Sequence, residues 1–293
     1  MQKIIIYYLF TPLKDPIAVR LWQSALADKL NLRGRIIIAE HGINATLGGD
    51  IDDLKSYIKT TKSYPPFVNL SCKWSDGSRL DFPRLSVKVR PELVTFGVPD
   101  KLTVDQTGVV GGGKRLSPNQ LHKLMSKKGS DVIMVDGRNK WEAAIGKFRN
   151  AIVMDVNHTR EFPKRINDPK YEYLKHKTVV TYCTGGIRCE VLTKLMLDSG
   201  YKEVYQLDGG IIKYLDTYGD NGLWEGSLYV FDKRISLRSS DHTKVIGTCV
   251  HCGKRTSNYL NCGNISCNQQ ILVCNQCSHR TRLCADCASS KLI

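Results

Sequence analysis

Residues 178–200 read TVVTYCTGGIRCEVLTKLMLDSG. A β-branched run, TVVTY, leads into a cysteine, two glycines, an arginine and a second cysteine. Apolar residues at helical spacing follow. This order predicts a buried strand, a tight loop and a helix. Outward from it, DVIMVDGR (131–138), AIVMDV (151–156) and EVYQLDGG (203–210) repeat the design of an apolar run ending in polar or glycine residues. Helical stretches lie between them, among them SPNQLHKLMSKK (117–128), with Ser117 as its N-cap. Alternating strands and helices predict a parallel sheet covered on both faces. Sites in such sheets collect at the carboxyl ends of strands, where Cys183 stands.

A thiol is a weak nucleophile near its free pKa of roughly 8.5, and a helix N-terminus or a cation lowers that value. Gly185 and Gly186 let successive amides turn inward as an anion-binding nest. Arg188 and the dipole of the following helix add positive potential. Cys183 is therefore the candidate nucleophile, and Thr184, Gly185, Gly186, Ile187 and Arg188 form its loop. The loop would hold a thiolate or the terminal sulfur of a persulfide. Four residues separate Cys183 from Arg188, one fewer than the C-x5-R loop of cysteine phosphatases, so the smaller ring suits a sulfur. Cys189 reads either as a buried thiol of the first helical turn or as a resolving thiol.

Before this region, KIIIYYLF (3–10) reads as a strand and PIAVRLWQSALADKLN (16–31) as an amphipathic helix. GRIIIAEHGINATLGG (34–49) reads as two strands around a His41-Gly42 turn. DIDDLKSYIKTTKS (50–63) reads as a helix capped by Asp50, and further strands are expected near 69–75 and 85–90. The order β-α-β-β-α-β is that of a ferredoxin-like α+β sandwich. Glycine and proline around 96–113 mark a linker. The expected domains are residues 1–97, 98–240 and 241–293.

The chain has eleven cysteines, eight of them from residue 249 onward. Cys249-x2-Cys252, Cys262-x4-Cys267, Cys274-x2-Cys277 and Cys284-x2-Cys287 give four ligand pairs, enough for two tetrahedral zinc ions. Sequential and cross-braced pairings both fit, and spacing alone leaves both open. His251 and His279 lie inside the array as substitutes. A stretch this polar needs a metal in place of a core. With no secretion signal, paired cysteines read as metal ligands in a reducing cytoplasm. No apolar run approaches the roughly 18 residues of a membrane span. A net charge of +15 points to a polyanion, with nucleic acid the usual one. Lys244, Lys254, Arg255, Arg280 and Arg282 would meet phosphates, with Tyr259 as a stacking surface and Arg33, Arg35 and Lys55 as contacts from the N-terminal domain.

The Cys183 loop resembles that of the rhodanese family. VIMVDGRNKWEAAIGKFRNAI (133–152) and VYQLDGGIIKYL (204–215) extend the resemblance, which implies structural roles for Asp136, Arg138 and Glu142. Thr184 departs from the arginine usual in thiosulfate sulfurtransferases. Across the whole chain, GINATLGG (42–49), YCTGGIRCE (182–190) and LWEGSLYVFDKRIS (223–236) are similar to the bacterial tRNA uridine(34) hydroxylase family. That resemblance implies oxygen-dependent 5-hydroxylation of the wobble uridine in the tRNA anticodon loop, with Cys183 as the active-site cysteine and molecular oxygen as co-substrate. No flavin or nicotinamide signature is present. The alternatives are a sulfurtransferase passing a Cys183 persulfide to a protein or RNA acceptor, and a non-catalytic RNA-binding adaptor. The intact loop argues against the adaptor.

Overall fold

The computed structural model describes residues 1–289. The first domain is built on the hairpin of β2 (Arg33–Ala39) and β3 (Gly42–Asp50), with β1 (Gln2–Phe10) antiparallel to β3 from Gln2 opposite Asp50 to Phe10 opposite Gly42. With β4 (Cys72–Asp76) and β5 (Leu85–Val89), the sheet order is β4-β1-β3-β2-β5. The first four strands have the expected ferredoxin-like order, and β5 adds an edge parallel to β2. Period-two alternation divides the faces. Ile5, Tyr7, Ile36, Ile38 and Leu47 pack with Val19 and Ala27 of α1 (Pro16–Lys29) and Leu54 and Tyr57 of α2 (Ile51–Lys62). Asp50 occupies the N-cap position of α2 but makes no capping hydrogen bond; its carboxylate lies 3.7 Å from the Met1 amino group instead.

The other face of this sheet meets the second domain, and Phe10 and Ala39 share a core with Val135, Val179 and Val191. In the second domain β6 (Lys114–Leu116), β7 (Val132–Asp136), β8 (Ile152–Val153), β9 (Thr178–Tyr182) and β10 (Glu203–Leu207) form an all-parallel sheet of order β8-β7-β9-β10-β6. Strand β9 is central and buried along its length, as its unbroken apolar run requires. Only two residues of the expected strand 151–156 pair with β7, because Met154 and Val156 turn into the core and the Val156 carbonyl accepts the Lys140 amide. Helices α3 (Pro118–Lys128), α4 (Ile187–Asp198) and α5 (Gly210–Tyr218) accompany the sheet. Ser117 caps α3 in a reciprocal capping box with Gln120. The glycine-rich stretch before β6 packs closely: Phe96 and Leu102 are in the core, and the Gly113 amide donates to Thr193 Oγ1 at 2.9 Å.

Beyond the sheet, β11 (Leu228–Tyr229) and β12 (Ser236–Leu237) form a short hairpin. The cysteine-rich segment is held around β13 (Tyr259–Asn261) and β14 (Gln270–Leu272), over a core that is largely cysteine, with Ile271 and Val273. Among the described residues no helix is long and apolar enough to cross a membrane.

Candidate active site

Strand β9 ends at Tyr182, and the chain turns through Cys183 to Gly186 into α4. Gly186 makes the turn at φ +104°, and a Cβ there would stand 2.8 Å from the Tyr8 hydroxyl oxygen. Its amide donates to Cys183 Sγ at 3.2 Å. The loop carbonyls face the other way. Those of Cys183 and Thr184 accept the Ile211 and Ile212 amides at 2.9 and 3.1 Å, so the start of α5 holds the loop from behind. Gly210 makes this approach possible: at φ +65°, a Cβ on it would lie 2.4 Å from the Cys183 carbonyl oxygen.

Burial opposes ionisation of Cys183. The Cys189 thiol, the Arg188 guanidinium and the amides of Cys189 and Gly186 outweigh it, and the Cys183 pKa is lowered to about 6. Cys189 moves the opposite way, pushed up by burial and by the neighbouring Cys183 charge. Both thiols are fully buried. Cys183 is thus the thiolate of the pair and Cys189 the hydrogen-bond donor to it.

Arg188 does not stand free. Its guanidinium forms a bidentate pair with Glu142 at 2.5 and 2.8 Å and reaches Thr184 Oγ1 at 3.3 Å. Asp136 and Arg138 form a second bidentate pair at 2.9 and 2.6 Å, with both side chains fully buried, and Arg138 also donates to the Gly146 carbonyl. Glu142 thus orients the loop arginine directly, while Asp136 and Arg138 brace the strand end beside it.

The structure adds residues that sequence reading missed. Lys73, from β4, donates to the Gly185 carbonyl at 2.8 Å and lies 5.3 Å from the Tyr8 ring centroid. Burial pulls its pKa below the ordinary lysine value, and the Cys183 charge opposes that shift. Buried Glu190 collects Tyr8 Oη at 3.0 Å, Arg115 Nη2 at 2.8 Å and Gln206 Nε2 at 2.9 Å, joining α4 and the two strands β6 and β10 to β1 of the first domain. No local motif signals these contacts, because each joins residues far apart in sequence, and those of Lys73 and Tyr8 form only when the two domains meet.

Cys183 lies in the wall of a cavity of about 700 Å³. The first domain contributes Tyr8, Arg35, Asn44 and Thr46, the loop contributes Thr184, Gly185, Ile187 and Arg188, and the β11–β12 hairpin contributes Val230 to Asp232. Of the three basic residues expected to contact RNA from the first domain, Arg35 lines this cavity, whereas Arg33 and Lys55 do not. Asn44 Nδ2 donates to the Leu93 carbonyl. Phe231 is 56 % exposed, and the Arg188 guanidinium lies 5.8 Å from its ring centroid. Cys72 is half-buried, and burial pushes its thiol up to about 12.

In the cysteine-rich segment Cys249, Cys252, Cys274 and Cys277 bring their sulfurs within 4.8 Å of one another, and Cys262, Cys267, Cys284 and Cys287 do the same. The first and third sequence pairs meet, as do the second and fourth, so the arrangement is cross-braced. The 3.7 Å between Cys252 and Cys274 and the 3.8 Å between Cys267 and Cys284 fit the roughly 3.8 Å edge of a tetrahedron with ~2.3 Å zinc–sulfur bonds. His251 and His279 belong to neither set. Tyr259 is not a stacking surface: it is 4 % exposed, and its hydroxyl donates to the Trp141 carbonyl.

Family models match along the chain in the same order as the folded parts. Residues 2–93 match the UPF0176 acylphosphatase like domain, 117–217 the Rhodanese-like domain and 225–290 the Rhodanase C-terminal model. The chain is 55 % identical over 289 residues to the tRNA uridine(34) hydroxylase of Corynebacterium kroppenstedtii, with 98 % of each chain covered. It is 58 % identical over 278 residues to that of Rhodococcus jostii, covering 95 % of this chain and 98 % of the relative. The chain belongs to the tRNA uridine(34) hydroxylase family. Members of this family are named as hydroxylases, so the buried thiolate loop and its cavity stand in an enzyme.

Proposed function

We propose that this chain hydroxylates C5 of uridine 34 in tRNA, with Cys183 as the nucleophile and molecular oxygen as the source of the new hydroxyl. The observation that carries this reading is a thiol lowered to about 6 in the wall of a 700 Å³ cavity, in a chain of this family. C5 of a uracil is a poor nucleophile until a thiolate adds to C6. Addition breaks the C5–C6 double bond and places the electron pair on C5 and the O4 carbonyl, where C5 can attack an oxygen electrophile. Loss of the C5 proton then restores the double bond and expels the thiolate. With dioxygen as oxidant, one oxygen atom enters the base, the other leaves as water, and a reductant supplies two electrons. The amides at Cys183 stabilise the thiolate as it arrives and as it leaves. An unpaired anticodon-loop base can be splayed out into the cavity at low cost.

The two cysteine sets would each hold a structural zinc ion, which supplies folding free energy to a segment with a small core. A tRNA substrate and eleven unpaired cysteines fit a reducing cytoplasm. The test uses purified protein, tRNA lacking wobble modification, a reductant and heavy-isotope dioxygen. 5-Hydroxyuridine carrying the heavy oxygen supports the reading. Unlabelled product would remove dioxygen as the source, and thiolated RNA would favour persulfide transfer.

A further inference from the structure

A second groove, of about 600 Å³, runs between the β11–β12 hairpin and the cysteine-rich segment. Lys233, Arg234, Arg238, Lys254 and Arg255 line it, and no Asp or Glu does. Arg234 is committed to Asp232 and Ser75, and Arg255 to the Ile246 carbonyl. Lys233, Arg238 and Lys254 are exposed, and none has an ion-pair partner among the described residues.

The hairpin loop connects this groove to the Cys183 cavity. Val230, Phe231 and Asp232 face the cavity, and the residues immediately after them face the groove. The loop is held firmly. Val230 donates to the Ile235 carbonyl at 2.8 Å and Ile235 to the Asp232 carbonyl at 3.0 Å, while the Asp232 carboxylate takes the Arg234 amide at 3.0 Å. Ile235 sits at φ +60°, a left-handed conformation that costs a β-branched residue energy and persists where surrounding contacts over-determine it. At the cavity end, Phe231 is backed edge-on by Tyr229 at 5.2 Å and Trp141 at 6.0 Å, which leaves ring surface open to a flat ligand.

We infer that this hairpin and groove form the RNA track of the enzyme: a base of a single-stranded loop stacks on Phe231, and the adjoining phosphates run along Lys233, Arg238 and Lys254. The inference rests on the uridine-34 reading and adds the surface that delivers the substrate. An open aromatic beside unpaired cations is the pairing that single-stranded nucleic acid binds. An acidic peptide would use the cations and leave the aromatic idle.

The test measures fluorescence anisotropy of a labelled anticodon stem-loop oligonucleotide, with uridine at the wobble position, binding to the full-length protein across a salt series. For the variant Lys233→Gln/Arg238→Gln/Lys254→Gln, the dissociation constant is expected to rise about tenfold, and the salt slope to fall in magnitude by about 2, near 0.7 per lost phosphate contact. Phe231→Leu is expected to weaken binding roughly fivefold or more and leave the slope unchanged. A control removes the same charge elsewhere, as Lys14→Gln/Lys123→Gln/Lys127→Gln, and is expected to bind as wild type. Lys233→Gln/Arg238→Gln leaves the cysteine-rich sequence intact and is expected to show about two-thirds of the slope change. Wild-type affinity and slope in the groove variants, equal losses in the control, or displacement of the RNA by polyglutamate at matched charge would each overturn the inference. Hydroxylation is scored separately. Wild type that binds through the groove without hydroxylating breaks the activity reading alone, and groove variants that bind and hydroxylate normally break only the track.

Discussion

Cys183 and Cys189 are two buried thiols six positions apart, and their surroundings push them in opposite directions. The Cys183 pKa, about 6, lies below the roughly 8.5 of an unfolded cysteine. The folded chain therefore binds fewer protons between those values. The thiolate contributes stability that is present above the unfolded pKa and is lost as pH falls through about 6. Thiolate absorbance, taken as wild type minus Cys183→Ser, is expected to titrate with a midpoint about 6, and a midpoint near 8.5 would refute the cradle. The urea midpoint of wild type relative to Cys183→Ser is expected to rise with pH across the same window. Arg188 belongs to the same account. Arg188→Gln leaves Glu142 buried without its partner and is expected to cost about 3–5 kcal/mol in urea unfolding. Adding Glu142→Gln should recover part of that loss and leave the Cys183 titration shifted upward.

At the scale of elements, the loop depends on α5 as much as on α4. Gly210→Ala would drive a methyl into the Cys183 carbonyl at a backbone angle that alanine resists, so it is expected to abolish activity and lower the urea midpoint. A fully active Gly210→Ala protein would show that the backing by α5 is dispensable. The cysteine-rich segment allows a sharper test, read as zinc per chain. Cys249 and Cys277 share a set in the cross-braced arrangement, so Cys249→Ser/Cys277→Ser should keep one of two ions. Cys249 and Cys262 belong to different sets, so Cys249→Ser/Cys262→Ser should lose both. Sequential wiring reverses the two results. These elements were legible to different degrees. The glycine loop, the alternating strands and the ferredoxin-like order follow from local periodicity and turn residues, which are properties of short segments. The pairing of cysteines was not legible, because spacing within a pair says nothing about which pairs meet once β13 and β14 form. Tyr259 failed as a stacking surface for a related reason: an aromatic in a basic stretch looks the same whether it packs inward or outward.

For the whole molecule, the first domain forms part of the site. Its sheet presents Tyr8, Arg35 and Asn44 to the cavity and sends Lys73 to the loop from β4. Lys73→Met would leave the Gly185 carbonyl without its buried donor, a loss of about 1–3 kcal/mol. The expected outcome is a lower turnover and a raised Cys183 midpoint with the fold retained, checked by the same absorbance titration. Of these, only Arg35 was singled out from the first 97 residues; Tyr8, Asn44 and Lys73 lie in stretches that read as ordinary strands. The contacts span more than a hundred positions of sequence, from Lys73 to Gly185 and from Tyr8 to Glu190. The stretch 223–236 stood out in the sequence without a role, and the fold supplies one by setting Phe231 against the cavity.

The central claim, that this chain hydroxylates the wobble uridine through Cys183 as nucleophile, is tested most directly by nucleoside mass spectrometry of tRNA from cells lacking this gene, complemented with wild type or with Cys183→Ser. The account predicts that 5-hydroxyuridine and its derivatives return with wild type and stay absent with Cys183→Ser at equal protein levels. Full restoration by Cys183→Ser would contradict it.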